Sequence, residues 1–498
     1  MSEPCDLSAV TARRLIGARK LSPVELLESC LARIEAVNPA VNAMVAMDTD
    51  RAREAAKQAE ASVMSGEKLG LLHGLPIGIK DLEETKGLRT TWGSPIFADH
   101  IPTRDEAMVG NLRAAGAIVT GKTNTPEFGA GANTRNLVYG ATGNAFDPTR
   151  SAAGSSGGSA VALATGMVPL ASGSDTGGSL RNPAAFNGIV GYRPSSGLVP
   201  SERRGHGWSP LPMLGPMARN VGDLAFMLGA MASDDQADPL AYTLPGTKMR
   251  ARPELFHPVQ PSDLACLSLA FTEDFGLAPT EGIVRRKFRQ VVAALAPMFA
   301  RAEEATPDVA GGDEAFEVLR SVNVLSAHGQ KVRETPELCG PNMHANVEEA
   351  MRYTFADNSA ALTRQTQIYR SFQSFFAQHS VLISPAICCS PRPWRELYPA
   401  IIDGKPVRTY FHWLSLAYYV TLTGHPAMSL PVGLDEKGFP FGLQIVGPRG
   451  GDVLVLQVAA AIEAAFAGDG DFGRPIPNVA ALAKAPSIAG MPEFKTWN

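Results

Sequence analysis

The sequence has few cysteines, no long hydrophobic run and no excess of either charge, and each lack removes a class of protein. Six cysteines stand in 498 residues: Cys5, Cys30, Cys266, Cys339, Cys388 and Cys389. None forms a C-x-x-C pair, so neither a disulfide framework nor a zinc ribbon is expected. They read as small buried hydrophobes in a reducing compartment. No stretch of 18 apolar residues occurs; the longest candidate, 160–171, is interrupted by Thr165, Gly166 and Pro169. A membrane-spanning helix is therefore not expected. The first twenty residues lack an apolar core, so no secretory signal is expected and the setting reads as cytoplasmic. Lys and Arg number 45 against 49 Asp and Glu, which leaves no basic surplus for a nucleic-acid backbone. There is no H-E-x-x-H and no Cys/His cluster, so no metal is expected. His412 and His425 lie in apolar surroundings and read as hydrogen-bonded structural histidines. Repeats of 20–50 residues are also missing.

What is present fits a globular α/β chain. The hydrophobic fraction is 45% and the charged fraction 19%, with 48 Gly and 38 Pro dispersed as turn residues. Ser22-Pro23-Val24-Glu25 is a capping box, and Leu27, Cys30, Leu31 and Ile34 share one face of the helix behind it. Asn38-Pro39 is expected to stop that helix. A second helix is expected over 50–65, closed by Gly66. The run 75–80 reads as a buried strand that ends on Lys80. From 106 to about 195 helical and extended patterns alternate: a helix over 107–115, a strand over 117–120, a small-residue helix over 159–164, a strand over 168–171 and a helix start near Pro183. Such alternation predicts α/β layers around an internal sheet. The segment 234–261, with five prolines, reads as a long surface connection. A strand is expected over 266–271, and Val284, Phe288, Val291, Val292 and Leu295 mark an amphipathic helix. Residues 305–400 look irregular. Strands are expected over 427–432 and 441–446, followed by a helix capped by Asp452 with Val455, Val458, Ala459, Ile462 and Phe466 on one face.

Two literal motif hits mislead. Residues 116–123 match the phosphate-loop pattern, but the loop positions are themselves a strand, and Asn124-Thr125-Pro126 discourages a helix through Lys122. Residues 154–158 match the G-x-S-x-G elbow, yet the segment before them is a turn rather than the apolar strand an elbow needs.

Three segments carry chemistry as a set: Gly78-Ile79-Lys80-Asp81, Gly154-Ser155-Ser156-Gly157-Gly158-Ser159, and Gly173-Ser174-Asp175-Thr176-Gly177-Gly178-Ser179-Leu180-Arg181. A serine hydroxyl needs a base to become a nucleophile. Lysine serves only when neutral, so burial must lower its pKa from ~10.4 by roughly 2–3 units. Lys80, at the end of an apolar strand, fits that requirement. A second serine, Ser155, can pass the proton between lysine and nucleophile. The turn 175–179 offers backbone N–H groups that can converge on an oxyanion.

These segments resemble the amidase signature family of Ser–Ser–Lys hydrolases in motif and in separation. Ser155 lies 75 residues after Lys80, and Ser179 a further 24 on. The phrases 75–81, 121–128, 214–219, 422–427 and 442–447 match as well, and the likeness is weakest over about 230–400. The false phosphate loop falls within one of these phrases. The resemblance implies Ser179 as nucleophile, Ser155 as bridging serine after a cis Gly154–Ser155 bond, and Lys80 as general base. It implies an oxyanion hole from the N–H groups of Thr176, Gly177, Gly178 and Ser179. Asp175 and Arg181 would brace the turn, and Ser156 would support Lys80. Ala153 stands where many relatives carry glycine.

The expectation is thus a single α/β domain over 1–498 with a mixed central sheet covered by helices on both faces. Its catalytic core is placed at about 70–230 and 415–466, and a variable substrate side at about 231–400. The expected activity is hydrolysis of a linear amide through an acyl-serine intermediate, without metal or organic cofactor. The expected partner is a small amide, with a homodimer compatible. Trp208, Leu211, Met213, Met343, Tyr353, Phe355 and Trp394 are candidate walls of an apolar or aromatic pocket. Alternatives are the glutaminase-type component of a glutamyl-tRNA amidotransferase, a nucleotide-binding protein using 116–123, and a binding protein with a dead hydrolase site.

Overall fold

Strands that are buried on both faces build the centre of the protein. The computed structural model describes residues 3–241 and 253–496. Eleven strands form one sheet in the order Met44–Met47, Ile118–Thr123, Pro76–Lys80, Leu170–Asp175, Met213–Ala218, Val190–Arg193, Ala427–Leu434, Pro440–Val446, Val381–Pro385, Ser268–Phe271 and Arg301–Glu304. Pro76–Lys80 runs parallel to both its neighbours. Val381–Pro385, Ser268–Phe271 and Arg301–Glu304 are likewise mutually parallel, and the strands between these two groups pair antiparallel. The sheet is therefore mixed. Every residue of Pro76–Lys80, Met213–Ala218, Val381–Pro385 and Pro440–Val446 is buried, which explains their continuous rather than alternating apolar pattern.

Helices cover both faces. Val381 and Ile383 pack into one core with the helices Val221–Met231, Gly282–Leu295 and Asp452–Ala465. Leu382, between them, points into the opposite core with Gly312–Glu334 and Phe355–Phe376. The side-chain alternation of a strand feeds two layers at once.

The local expectations hold at most termini. Ser22 and Glu25 form the capping box, and Gly66 closes the helix Thr49–Ser65 in the left-handed region. Four expectations change. The helix from Pro23 runs through Pro39 to Val41 before Asn42 ends it in the left-handed region, because a proline this near the end removes only one last-turn bond. The span 305–400 is largely helical, with Gly312–Glu334, Pro341–Ala350 and Phe355–Phe376. Buried Glu317, Arg320, Ser321 and Asn346 interrupt its apolar stripe, which hid the period. Asp452 is the first helical residue rather than the cap, and its carboxylate accepts from Tyr192 Oη (2.6 Å) and Ser195 N–H (2.9 Å). Cys266 is exposed, whereas the other five cysteines are buried and all six are free thiols. Part of the proline-bearing connection, 242–252, lies outside the described residues. Among the described residues no helix is long and apolar enough to cross a membrane.

Candidate active site

Lys80 ends a strand that has no solvent-facing side, so its amine is carried into the interior with it. The residue is fully buried, and Nζ lies 2.7 Å from Ser155 Oγ, 2.8 Å from Ser156 Oγ and 2.8 Å from Ser174 Oγ. No carboxylate among the described residues pairs with it directly. Burial lowers its pKa to about 7, against the opposing pull of Glu83 and Asp175. The neighbouring strand Leu170–Asp175 supplies hydroxyls with period two. Ser172 Oγ accepts the Lys80 backbone N–H at 3.0 Å, and Ser174 meets Nζ. Ser172 also donates to Glu83 Oε2 at 2.9 Å. Burial pushes Glu83 up to about 7, although Lys80 and Lys122 pull it down.

Ser155 and Ser156 come from a loop packed too tightly for side chains. The Gly154–Ser155 peptide is cis, as expected, and Ala153 before it has φ 56°. Its carbonyl accepts from Thr134 N–H at 3.1 Å and from Thr134 Oγ1 at 2.8 Å. The helix Gly157–Ala164 starts at once. A Cβ on Gly158 would sit 2.2 Å from Asn124 N, so the helix can approach that backbone only as glycine. Ser156 N–H donates to the Ser179 carbonyl at 3.3 Å, which joins this loop to the second glycine-rich turn.

That second turn is folded around Asp175. Oδ1 accepts from Gly178 N–H (2.9 Å) and Arg181 Nη2 (2.9 Å), and Oδ2 accepts from Leu180 N–H (3.2 Å) and Arg181 Nε (3.0 Å). Arg193 Nη1 donates to the Asp175 carbonyl at 2.5 Å. Burial alone would raise the pKa of Asp175, but the Arg181 and Arg193 guanidiniums hold it well below the usual carboxylate range. Arg181 is itself fully buried, and Nη1 donates to Gln444 Oε1 (2.7 Å) and the Ala417 carbonyl (2.9 Å). The brace role expected of Asp175 and Arg181 therefore has a geometric basis. One expectation is corrected: Gly178 N–H is turned to Asp175 and is not free as an oxyanion donor in this structure. Thr176, Gly177 and Ser179 have no partner for their N–H groups among the described residues. Gly178 has φ 107°, and a Cβ there would lie 2.5 Å from Asn182 Nδ2.

The misleading motifs resolve in the same region. Lys122 lies inside the strand Ile118–Thr123, buried, with Nζ on the Glu83 carbonyl, Thr85 Oγ1 (3.0 Å) and Thr90 Oγ1 (3.1 Å). It shapes the loop after Lys80 and has no open phosphate cradle. Ser156 meets Lys80, not a histidine. His425 is buried between Thr423 Oγ1 (2.7 Å) and Gln373 Nε2 (3.2 Å), and burial lowers its pKa to about 3. His412 contacts Glu317. Both are structural in this sense.

A cavity of about 670 Å³ opens beside the lysine, lined by Ser174, Thr176, Gly129 and Glu83 at its reactive end. Its walls are Trp92, Phe97, His100, Phe128, Val324 and His328. Phe128 lies over His328 at 4.5 Å, and Trp92 meets Phe97 edge-on at 4.8 Å. None of the seven residues expected as walls lines it. Trp208 and Phe355 are exposed, Trp394 is buried far along the chain against Ala141 and Ile488, and the strand Met213–Ala218 presents Leu214 rather than Met213. Ser174, Glu83 and the aromatic wall were missed. Period-two spacing of Ser172 and Ser174 behind Asp175 was the available signal for the first.

The comparisons fit this geometry. The family model described as Amidase matches residues 25–456. An acylamidase of Rhodococcus erythropolis is 34% identical, aligned over 92% of this chain and 95% of its own. The GatA-type component of glutamyl-tRNA(Gln) amidotransferase from Picosynechococcus sp. is 35% identical over 93% of this chain and 98% of its own. The solved structure of a bacterial aryl acylamidase, described as belonging to the amidase signature enzymes, superposes with a TM-score of 0.85 at 25% identity, covering 98% of this chain and 99% of that one. With a buried lysine among serines on a mixed sheet and a family match along most of its length, the chain belongs to the amidase signature family of hydrolases.

Proposed function

We propose that the chain hydrolyses small amides with an aryl or apolar group through an acyl-Ser179 intermediate. The observation that carries this is the Lys80 amine, buried and surrounded by three serine hydroxyls with no paired carboxylate. In neutral form the amine takes a proton from Ser155, which takes one from Ser179, and Ser179 Oγ attacks the amide carbonyl. The N–H groups of Thr176, Gly177 and Ser179 hold the oxyanion, and each such donor contributes about 3–4 kcal/mol to the transition state. The proton returns through Ser155 to the leaving nitrogen, the C–N bond breaks, and water then releases the acid from Ser179 by the same relay. Ser156 and Ser174 hold Nζ in position. Asp175 and Arg181 keep the turn folded.

The aromatic cavity walls favour an aryl group on one side of the scissile bond. The helix Gly312–Glu334 supplies much of that wall, which supports reading about 231–400 as the substrate side and about 70–230 with 415–466 as the catalytic core. Five buried free thiols suit a reducing cytoplasm. Sequence likeness alone favours the amidotransferase component equally, so glutamine is the competing substrate. The test is a turnover screen of the isolated chain over aliphatic, aryl and peptide amides and glutamine, with Ser179→Ala as control. Aryl amide turnover lost in the variant is expected. Glutamine as the sole substrate would overturn the aryl assignment, and full activity of Ser179→Ala would overturn the mechanism.

A further inference from the structure

One cation in the cavity wall lacks the partner that its burial calls for. Arg320 is 7% exposed and sits on the helix Gly312–Glu334 among the residues that line the cavity. Among the described residues no carboxylate pairs with it. Nη2 reaches only neutral acceptors, Asn346 Oδ1 at 2.9 Å and the Tyr410 hydroxyl, and Nη1 has no hydrogen-bond partner. The guanidinium lies 4.6 Å from the Phe411 ring centroid and 5.1 Å from that of Tyr410, so two rings fix its plane. The other arginines of the wall are neutralised: Arg203 pairs with Glu84 and Arg204 with Asp238. Lys331, farther along the same helix, meets only the Ala327 carbonyl. Burial raises Glu83 to about 7 and Glu106 to about 8, which weakens the negative charge facing the cavity near neutrality.

Buried charges in proteins are ordinarily paired. An unpaired, ring-braced guanidinium at a ligand cavity is a fork set for a planar anion. We propose that Arg320 is a specificity-determining residue that binds a carboxylate on the substrate, remote from the scissile amide. The preferred substrate is then an amide whose aryl or apolar group bears a carboxylate. This rests on the amide-hydrolase reading for its chemistry but not for its binding.

The experiment compares 4-acetamidobenzoate with its neutral counterpart 4-acetamidobenzamide, scored by release of the arylamine. In wild type, kcat/KM for the carboxylate is expected to exceed that for the carboxamide about tenfold or more, the ordinary weight of a charge-assisted hydrogen bond. Arg320→Met is expected to bring that ratio near one, and Arg320→Lys to restore part of it. Calorimetric binding of both compounds to Ser179→Ala gives the readout without turnover, and the same preference is expected there. Equal affinity for both compounds in that protein overturns the inference, as does an unchanged ratio in Arg320→Met. Selective carboxylate binding with no turnover of either compound by wild type supports Arg320 and counts against the aryl-amide reading instead.

Discussion

Lys80 Nζ and Ser155 Oγ stand 2.7 Å apart although 75 residues separate them in the chain. The lysine arrives on a strand buried on both faces, and the serine on a loop that glycine alone lets pack so closely. Neither element places a counter-charge on the amine.

Removal of any member of the relay should abolish most turnover. Lys80→Met and Ser155→Ala are each expected to lower kcat about 10²–10⁴-fold, the usual range for lost acid–base catalysis. Ser179→Ala should leave no acyl-enzyme. Steady-state kinetics beside far-UV circular dichroism checks this, since a folded and active Lys80→Met protein would remove the base from the mechanism.

The rate should rise with pH through an apparent pKa near 7. Lys80 is lowered to about 7 by burial, and only the neutral amine accepts a proton, so activity is lost as pH falls below that value. Glu83 titrates in the same region, and the apparent value belongs to the pair. Glu83→Gln removes a negative charge that favours the ammonium form. Its acid limb in kcat/KM should therefore move to lower pH than in wild type. A limb that stays in place, or moves upward, contradicts this role for Glu83.

Asp175→Asn should be strongly destabilising, by about 3–5 kcal/mol, because it leaves Arg181 and Arg193 buried without their carboxylate. The depressed pKa of Asp175 fixes the sign of its pH dependence. Its stabilisation is complete above the ordinary carboxylate pKa of about 4 and disappears only as pH falls through the depressed value in strong acid. Urea unfolding at neutral pH tests the magnitude, and a loss within experimental scatter would show that the turn does not depend on the pair.

Phe128→Ala opens the aromatic wall without touching Lys80. It removes the ring contact with His328 and an edge contact to Phe97 at 6.2 Å. KM for an aryl amide is expected to rise about tenfold, in keeping with the loss of one aromatic contact and its buried area. KM for acetamide should change far less. Equal changes for both would place the aryl group elsewhere.

Much of the site was readable from the chain. Lys80 could be placed because a run without polar interruption ends on it, and the glycine-rich segments mark loops that need bare backbone. The turn residues Asp175 and Arg181 were also readable as a brace. Other features depended on tertiary pairing. Ser174 and Glu83 reach Lys80 only once Leu170–Asp175 lies parallel to Pro76–Lys80. Gly178 was expected to face the oxyanion, but the Asp175 carboxylate takes its N–H, a competition that composition cannot show. The cavity walls were misassigned because aromatic content says nothing about which side of a strand faces the ligand. Leu214 and Met213 differ by one residue, and that step reverses the face. The helices of 305–400 escaped notice because buried polar residues such as Arg320 and Glu317 break their stripe.

The central claim is that a neutral Lys80 arms Ser179 across Ser155. Fluorophosphonate labelling, mapped by peptide mass spectrometry and timed across pH, tests it most directly. The adduct is expected on Ser179, forming faster as pH rises through about 7 and much more slowly in Ser155→Ala. An adduct on another residue, or a labelling rate indifferent to both pH and Ser155, would contradict the account.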